Sequence, residues 1–268
     1  VKPTAGRIAE KFTAAKREGR AAFVAYLTAG DPSPEATVAL ARALDRAGAD
    51  VLELGVPFSD PIADGPTLQR AAQRALAAGT TLATVLNCAA AIQKETNLAL
   101  VLFSYANPLC AGGFARTMKR ARSGGFEGVL MTDVPPEESS AFLPPIRASG
   151  LGPIFLVSPT STATRMATAA RLSRGFLYVV ARLGTTGERK KPSADLARTI
   201  RRARSAAKNL PLAAGFGFAD PRSAHEAALL ADGVVVGSAL VAAAERAGRA
   251  REREVFRLAQ SFARACRR

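Results

Sequence analysis

The chain has 268 residues, with 37 Lys plus Arg against 22 Asp plus Glu, a formal net charge of +15 and 48% hydrophobic residues. That much apolar material with 22% charged residues excludes a disordered tail and supplies a sizeable core. Three dispersed cysteines (Cys88, Cys110, Cys266), no CxxC pair and a single histidine argue against a zinc centre and against a disulfide scaffold, so a reducing cytoplasm is expected.

Residues 1–20 interrupt every apolar run with Lys, Arg or Glu, so they read as an amphipathic opening helix and not as a secretory signal. After them, short apolar or β-branched runs recur at 21–30, 50–55, 98–105, 128–134, 152–159, 176–182, 210–217 and 232–239, which makes eight strands. They are continuous runs, as a parallel sheet covered on both faces requires. Helical patterns follow at 33–49, 80–96, 114–125, 136–150, 164–175, 193–208 and 220–231, several opening at Ser, Thr or Pro and several closing at Gly. The C-terminal segment 246–268 reads as a last helix whose apolar stripe leaves arginines on the other face. His225 falls in the 220–231 helix and reads as a surface residue, which removes Ser-His-Asp and Cys-His chemistry.

A doubly wound open sheet uses the same alternation. Eight near-equal units without a domain-sized linker favour an α/β chain closed as a single-domain (β/α)₈ TIM barrel over residues 1–268, with an extra N-terminal helix. No apolar run reaches the roughly 20 residues of a bilayer span. The basic runs carry no interleaved aromatic residues to stack bases, so neither membrane nor specific nucleic acid is expected as a partner. The charge still suits an anionic ligand such as a phosphorylated small molecule.

In a (β/α)₈ barrel the chemistry lies at the C-terminal strand ends. There Glu53 stands inside VLELG with Leu on both sides. It is either a proton-transfer group pointing into the mouth, its pKa raised by burial, or a structural carboxylate paired with an arginine. Asp64, in IADGP, is either a turn aspartate bonding its own backbone or the partner of Glu53, one carboxylate dry and the other wet. After the seventh and eighth strands, GFGF and GSALV bring Gly215, Gly217, Gly237 and Ser238 to where barrels bind phosphate. GFGFAD lacks the third glycine of a dinucleotide turn. The loop ARLGTTGERKKPSAD has Gly184 and Gly187 around Thr185 and Thr186, and is either a lid or an ordinary mobile loop. No lysine falls on a strand, so a Schiff-base aldolase is disfavoured.

These segments resemble the tryptophan synthase α-subunit family. LELGVPFSDPIADGP carries the likeness, with YLTAGDP, SYANP, TDVPPEES, PIFLVSPTST, RGFLYVVARLGTTG, GFGF and DGVVVGSALV in the same order, over residues of about 6 to 265. The resemblance implies retro-aldol cleavage of indole-3-glycerol phosphate to indole and glyceraldehyde 3-phosphate, with neither metal nor organic cofactor. It implies that Glu53 is the acid/base and that Asp64 takes the indole N–H. It implies that Tyr178 places the substrate, and that Gly187, Gly217, Gly237 and Ser238, with Phe216 between, hold the phosphate. Thr186 would close onto Asp64. It further implies an αββα assembly with a β subunit, with Pro57, Asp60, Pro61, Asn107, Pro108 and Pro135 on the facing surface. The chain departs from the family pattern at Tyr26, where Phe is common, at Ala181 and Leu183 before GTTG, and in a short, basic lid. Nothing in the resemblance accounts for the net charge.

Overall fold

The computed structural model describes residues 6–180, 194–215 and 217–268. In chain order the elements are α1 (Gly6–Arg17), β1 (Ala22–Thr28), α2 (Pro34–Ala47), β2 (Val51–Gly55), α3 (Pro66–Ala77), α4 (Leu82–Glu95), β3 (Ala99–Ser104), α5 (Ala106–Cys110), α6 (Phe114–Ser123) and β4 (Phe126–Met131). A 3₁₀ turn (Pro136–Ala141) leads into α7 (Leu143–Ser149), β5 (Gly152–Ile154), β6 (Leu156–Val157), α8 (Ala163–Leu172), β7 (Leu177–Val180), α9 (Ala194–Ala207), β8 (Leu212–Gly215), α10 (Pro221–Ala228), β9 (Gly233–Val236) and α11 (Ser238–Ala247). A second 3₁₀ turn (Gly248–Ala250) precedes α12 (Arg251–Ala265).

Every pairing between these strands is parallel, in the order β5-β4-β3-β2-β1-β9-β8-β7-β6. Where the sequence predicts eight strands, the structure has nine segments, because the fifth run breaks at Phe155. β5 pairs with β4 and β6 with β7, so the two halves of that run close the barrel. At the break, the Phe155 N–H donates to the Ser173 hydroxyl (3.1 Å), while its carbonyl accepts from the Tyr178 N–H (3.0 Å).

Helix ends follow local chemistry. Ser33 caps α2 by accepting from the Ala36 N–H (3.2 Å), Pro34 supplies a first turn needing no donor, and Gly48 ends the helix at φ 98°. Asp220 caps α10 by accepting from the Ser223 N–H (2.9 Å). Helix α3 is absent from the sequence-based reading. Its only start signals are Pro66 and the backbone of Gly65, with no side-chain cap bond.

Two apolar layers result. Alternate strand residues such as Leu52 and Leu54 face the helices, while Val24, Val51, Val101, Ile154 and Ala213 fill the barrel interior. Ile8, Phe12 and Ala15 of α1 plug the floor, and Phe12 stacks on Phe176 at 5.4 Å. Below the N-terminal strand ends, Asp50 accepts from Arg20 through both oxygens (2.6 and 2.9 Å) and from the Phe23 N–H (2.8 Å). No single described helix is long and apolar enough to cross a membrane.

Candidate active site

Glu53 lies in phase with inward-facing Val51, so alternation along β2 aims it up the barrel axis. It is only 1% exposed, and its Oε1 has no hydrogen-bond partner among the described residues. No arginine among the described residues pairs with it. Burial in apolar surroundings raises its pKa to about 8.

Asp64 reaches the same cavity from the loop between β2 and α3. Its backbone is fixed by its own N–H to the Pro61 carbonyl (3.1 Å) and by Gln69 Nε2 donating to its carbonyl (2.9 Å). The Tyr105 hydroxyl donates to its carboxylate (3.2 Å) and accepts from the Ala63 N–H (2.9 Å). The structure corrects one expectation: Asp64 is not the wet member of the pair. It is 7% exposed, and burial lifts its pKa to about 6 against the lowering effect of the Tyr105 bond. Two dry carboxylates therefore differ by their partners: one hydroxyl for Asp64 and no partner for Glu53 Oε1.

Around them an open-mouthed cavity is lined by Tyr26, Leu68, Phe103, Tyr178, Phe218 and Val235, with Gly217, Gly237 and Ser238. Gly217 has φ 102°, a conformation that favours glycine. Gly237 is the N-cap of α11 without a side-chain cap bond, so the N-terminus of that helix, with Ser238, stands at the cavity edge. Thr186, Gly187 and Phe216, with the loop 181–193, lie outside the described residues.

The proposed partner surface is uneven. Asp60 and Asn107 are exposed, Pro61, Pro108 and Pro135 are half-buried, and Pro57 is buried within the chain and offers little surface. Sequence reasoning missed Ile62, 82% exposed on the same loop, because it sits among turn-forming residues. It also missed Tyr105 as a site residue, although all three tyrosines of the chain (Tyr26, Tyr105 and Tyr178) surround the two carboxylates. Their scarcity was the available signal.

The fold is a parallel (β/α)₈ barrel with two buried carboxylates, Glu53 and Asp64, lining one cavity. Residues 12–267 match the family described as tryptophan synthase alpha chain. The chain is 49% identical to the tryptophan synthase alpha chain of Solibacter usitatus, over 88% of each chain. It is 46% identical to that of Laribacter hongkongensis, over 90% of this chain and 92% of the relative. The crystal structure of tryptophan synthase subunit alpha from Legionella pneumophila str. Paris superposes with a TM-score of 0.88 at 37% identity, covering 97% of this chain and 98% of that one. A Mycobacterium tuberculosis tryptophan synthase structure gives 0.90 at 33% identity, covering 98% of both. The chain belongs to the tryptophan synthase alpha chain family, and its role is that of a lyase in tryptophan synthesis.

Proposed function

We propose that the chain cleaves indole-3-glycerol phosphate to indole and glyceraldehyde 3-phosphate, and that it works as the α subunit of an αββα assembly with a tryptophan synthase β subunit. The observation that carries this is Glu53, buried, with an unpartnered Oε1 and a pKa of about 8, facing Asp64 at about 6 across one cavity. At neutral pH, Glu53 is then mostly protonated and Asp64 mostly ionised, which is the pairing acid–base chemistry needs.

Glu53 gives its proton to the indole carbon that bears the chain, and positive charge develops at the ring N–H beside the Asp64 carboxylate. Glu53, now ionised, takes the proton of the adjacent chain hydroxyl. The carbon–carbon bond breaks, its electron pair returns to the ring as indole, and the chain leaves as the aldehyde. No external reductant or oxidant is required. Tyr178 packs against the substrate, and the phosphate rests on Gly217, Gly237 and Ser238, with Gly187, Thr186 and Phe216 completing the site from outside the described residues. Asp60, Pro61, Asn107, Pro108 and Pro135 supply the β-facing surface, with Pro57 beneath it.

Indole release from indole-3-glycerol phosphate, measured with and without added β subunit, tests the proposal. Cleavage that rises on adding the partner is expected. Full activity of the isolated chain points to a stand-alone lyase instead, and no cleavage in either case overturns the reaction itself.

A further inference from the structure

The barrel mouth contains one device twice. Tyr178 on β7 pairs with Ala213 on β8, and its hydroxyl lies over Gly215, where any Cβ would collide with it. Tyr26 on β1 pairs with Glu53 on β2, and its hydroxyl lies over Gly55, where a Cβ would collide in the same way. In each case the glycine stands two residues past the tyrosine's partner on the neighbouring strand, so the missing side chain makes room for a phenol lying across the mouth.

Glu53 and Gly55 both point into the barrel, Gly55 nearer the opening. The Tyr26 hydroxyl therefore lies at the mouth end of the strand that carries Glu53, and both residues line the same cavity. The ring is held from two sides, by Phe103 edge-on at 5.2 Å and by Thr28 Oγ1 at 3.3 Å from its hydroxyl, and Gly237 packs so close that a Cβ there would come within 3.2 Å of the Tyr26 Cβ. If Thr28 donates to that oxygen, the phenolic hydrogen is left to point into the cavity.

On the reading given under Proposed function, we infer that Tyr26 is a second substrate-contacting tyrosine, whose hydroxyl donates a hydrogen bond to the same chain oxygen that Glu53 deprotonates. Burial first, and then the nearby Asp64 and Glu53 carboxylates, keep the Tyr26 hydroxyl protonated and so a donor throughout the working pH range. Its place in the cavity it shares with Glu53, toward the mouth, suits it to hold that oxygen while the proton leaves. The reaction's bonds and protons are unchanged, since Tyr26 gives a hydrogen bond and not a proton.

Tyr26→Phe keeps the ring, the packing and the glycine niche. The full chain with added β subunit is assayed on indole-3-glycerol phosphate, and binding is measured for the analogue whose chain hydroxyls are replaced by hydrogen. The expected result is a kcat/KM lower by about tenfold for the substrate, with the analogue bound within about twofold of the wild-type affinity. An unchanged kcat/KM overturns the inference, and so does an equal weakening of substrate turnover and analogue binding, which would mark a structural role. If the wild-type chain does not cleave the substrate at all, the reaction assignment falls and this inference with it. Cleavage by wild type confines any failure to Tyr26.

Discussion

Asp50 and Glu53 share one short stretch of chain, and both are buried. At the floor, Asp50 receives two bonds from Arg20 and one from the Phe23 N–H, so its charge is compensated where it lies. At the mouth, Glu53 Oε1 has no described partner and burial alone raises the pKa to about 8. A buried charge that is satisfied ties strands together, whereas one left unsatisfied costs stability and stays available to react. The barrel thus separates its duties by height along one short stretch of chain.

The comparison predicts opposite outcomes for the two carboxylates. Glu53→Gln keeps shape and removes titration, so cleavage should fall about 10³-fold or more while analogue binding persists. Turnover within about tenfold of wild type would show that Glu53 is not the proton carrier. The same variant should be more stable. Because the folded pKa of Glu53 lies above the usual 4.5, its contribution is fully present below about pH 4.5 and is lost as pH rises through about 8. Denaturant unfolding at pH 8 should therefore favour Glu53→Gln over wild type by roughly 4 kcal/mol, with the gap closing near pH 4.5. At the floor, Arg20→Ala strands Asp50 without its cation and should cost about 3 kcal/mol. Its kcat/KM should stay at the wild-type value, and a stability loss below about 1 kcal/mol would mean the pair is no tie.

These two sites were not equally legible in the sequence. The inward aim of Glu53 follows from alternation along VLELG, a local pattern, and the strands follow from apolar runs that only a doubly covered parallel sheet explains. The break at Phe155 does not follow from its own neighbours, because the Ser173 hydroxyl that takes its N–H arrives from beyond α8. Helix α3 escaped for a related reason: its apolar face is mostly alanine, and backbone capping at Gly65 leaves no side-chain signature. Asp64 is the clearest case. Its residues look like a wet turn, and it becomes dry only when Tyr105 folds over it from the end of β3.

That dependence gives the smallest and most selective prediction. Tyr105 does two things to Asp64. It bonds the carboxylate, which lowers the pKa that burial raises, and it accepts the Ala63 N–H, which holds the loop. Tyr105→Phe removes both bonds while Phe58, whose ring lies 5.3 Å away, can still pack on the phenyl group. With the lowering influence gone, Asp64 titrates above its present value of about 6 and is less often ionised in mild acid. The acid limb of the kcat/KM profile should move toward neutrality, with a loss of about fivefold at pH 6 and only about twofold at pH 8. A uniform loss at both values would mean that Tyr105 only shapes the loop. A shift of the alkaline limb instead would mean that it reaches Glu53, and that the two carboxylates are not set by separate surroundings.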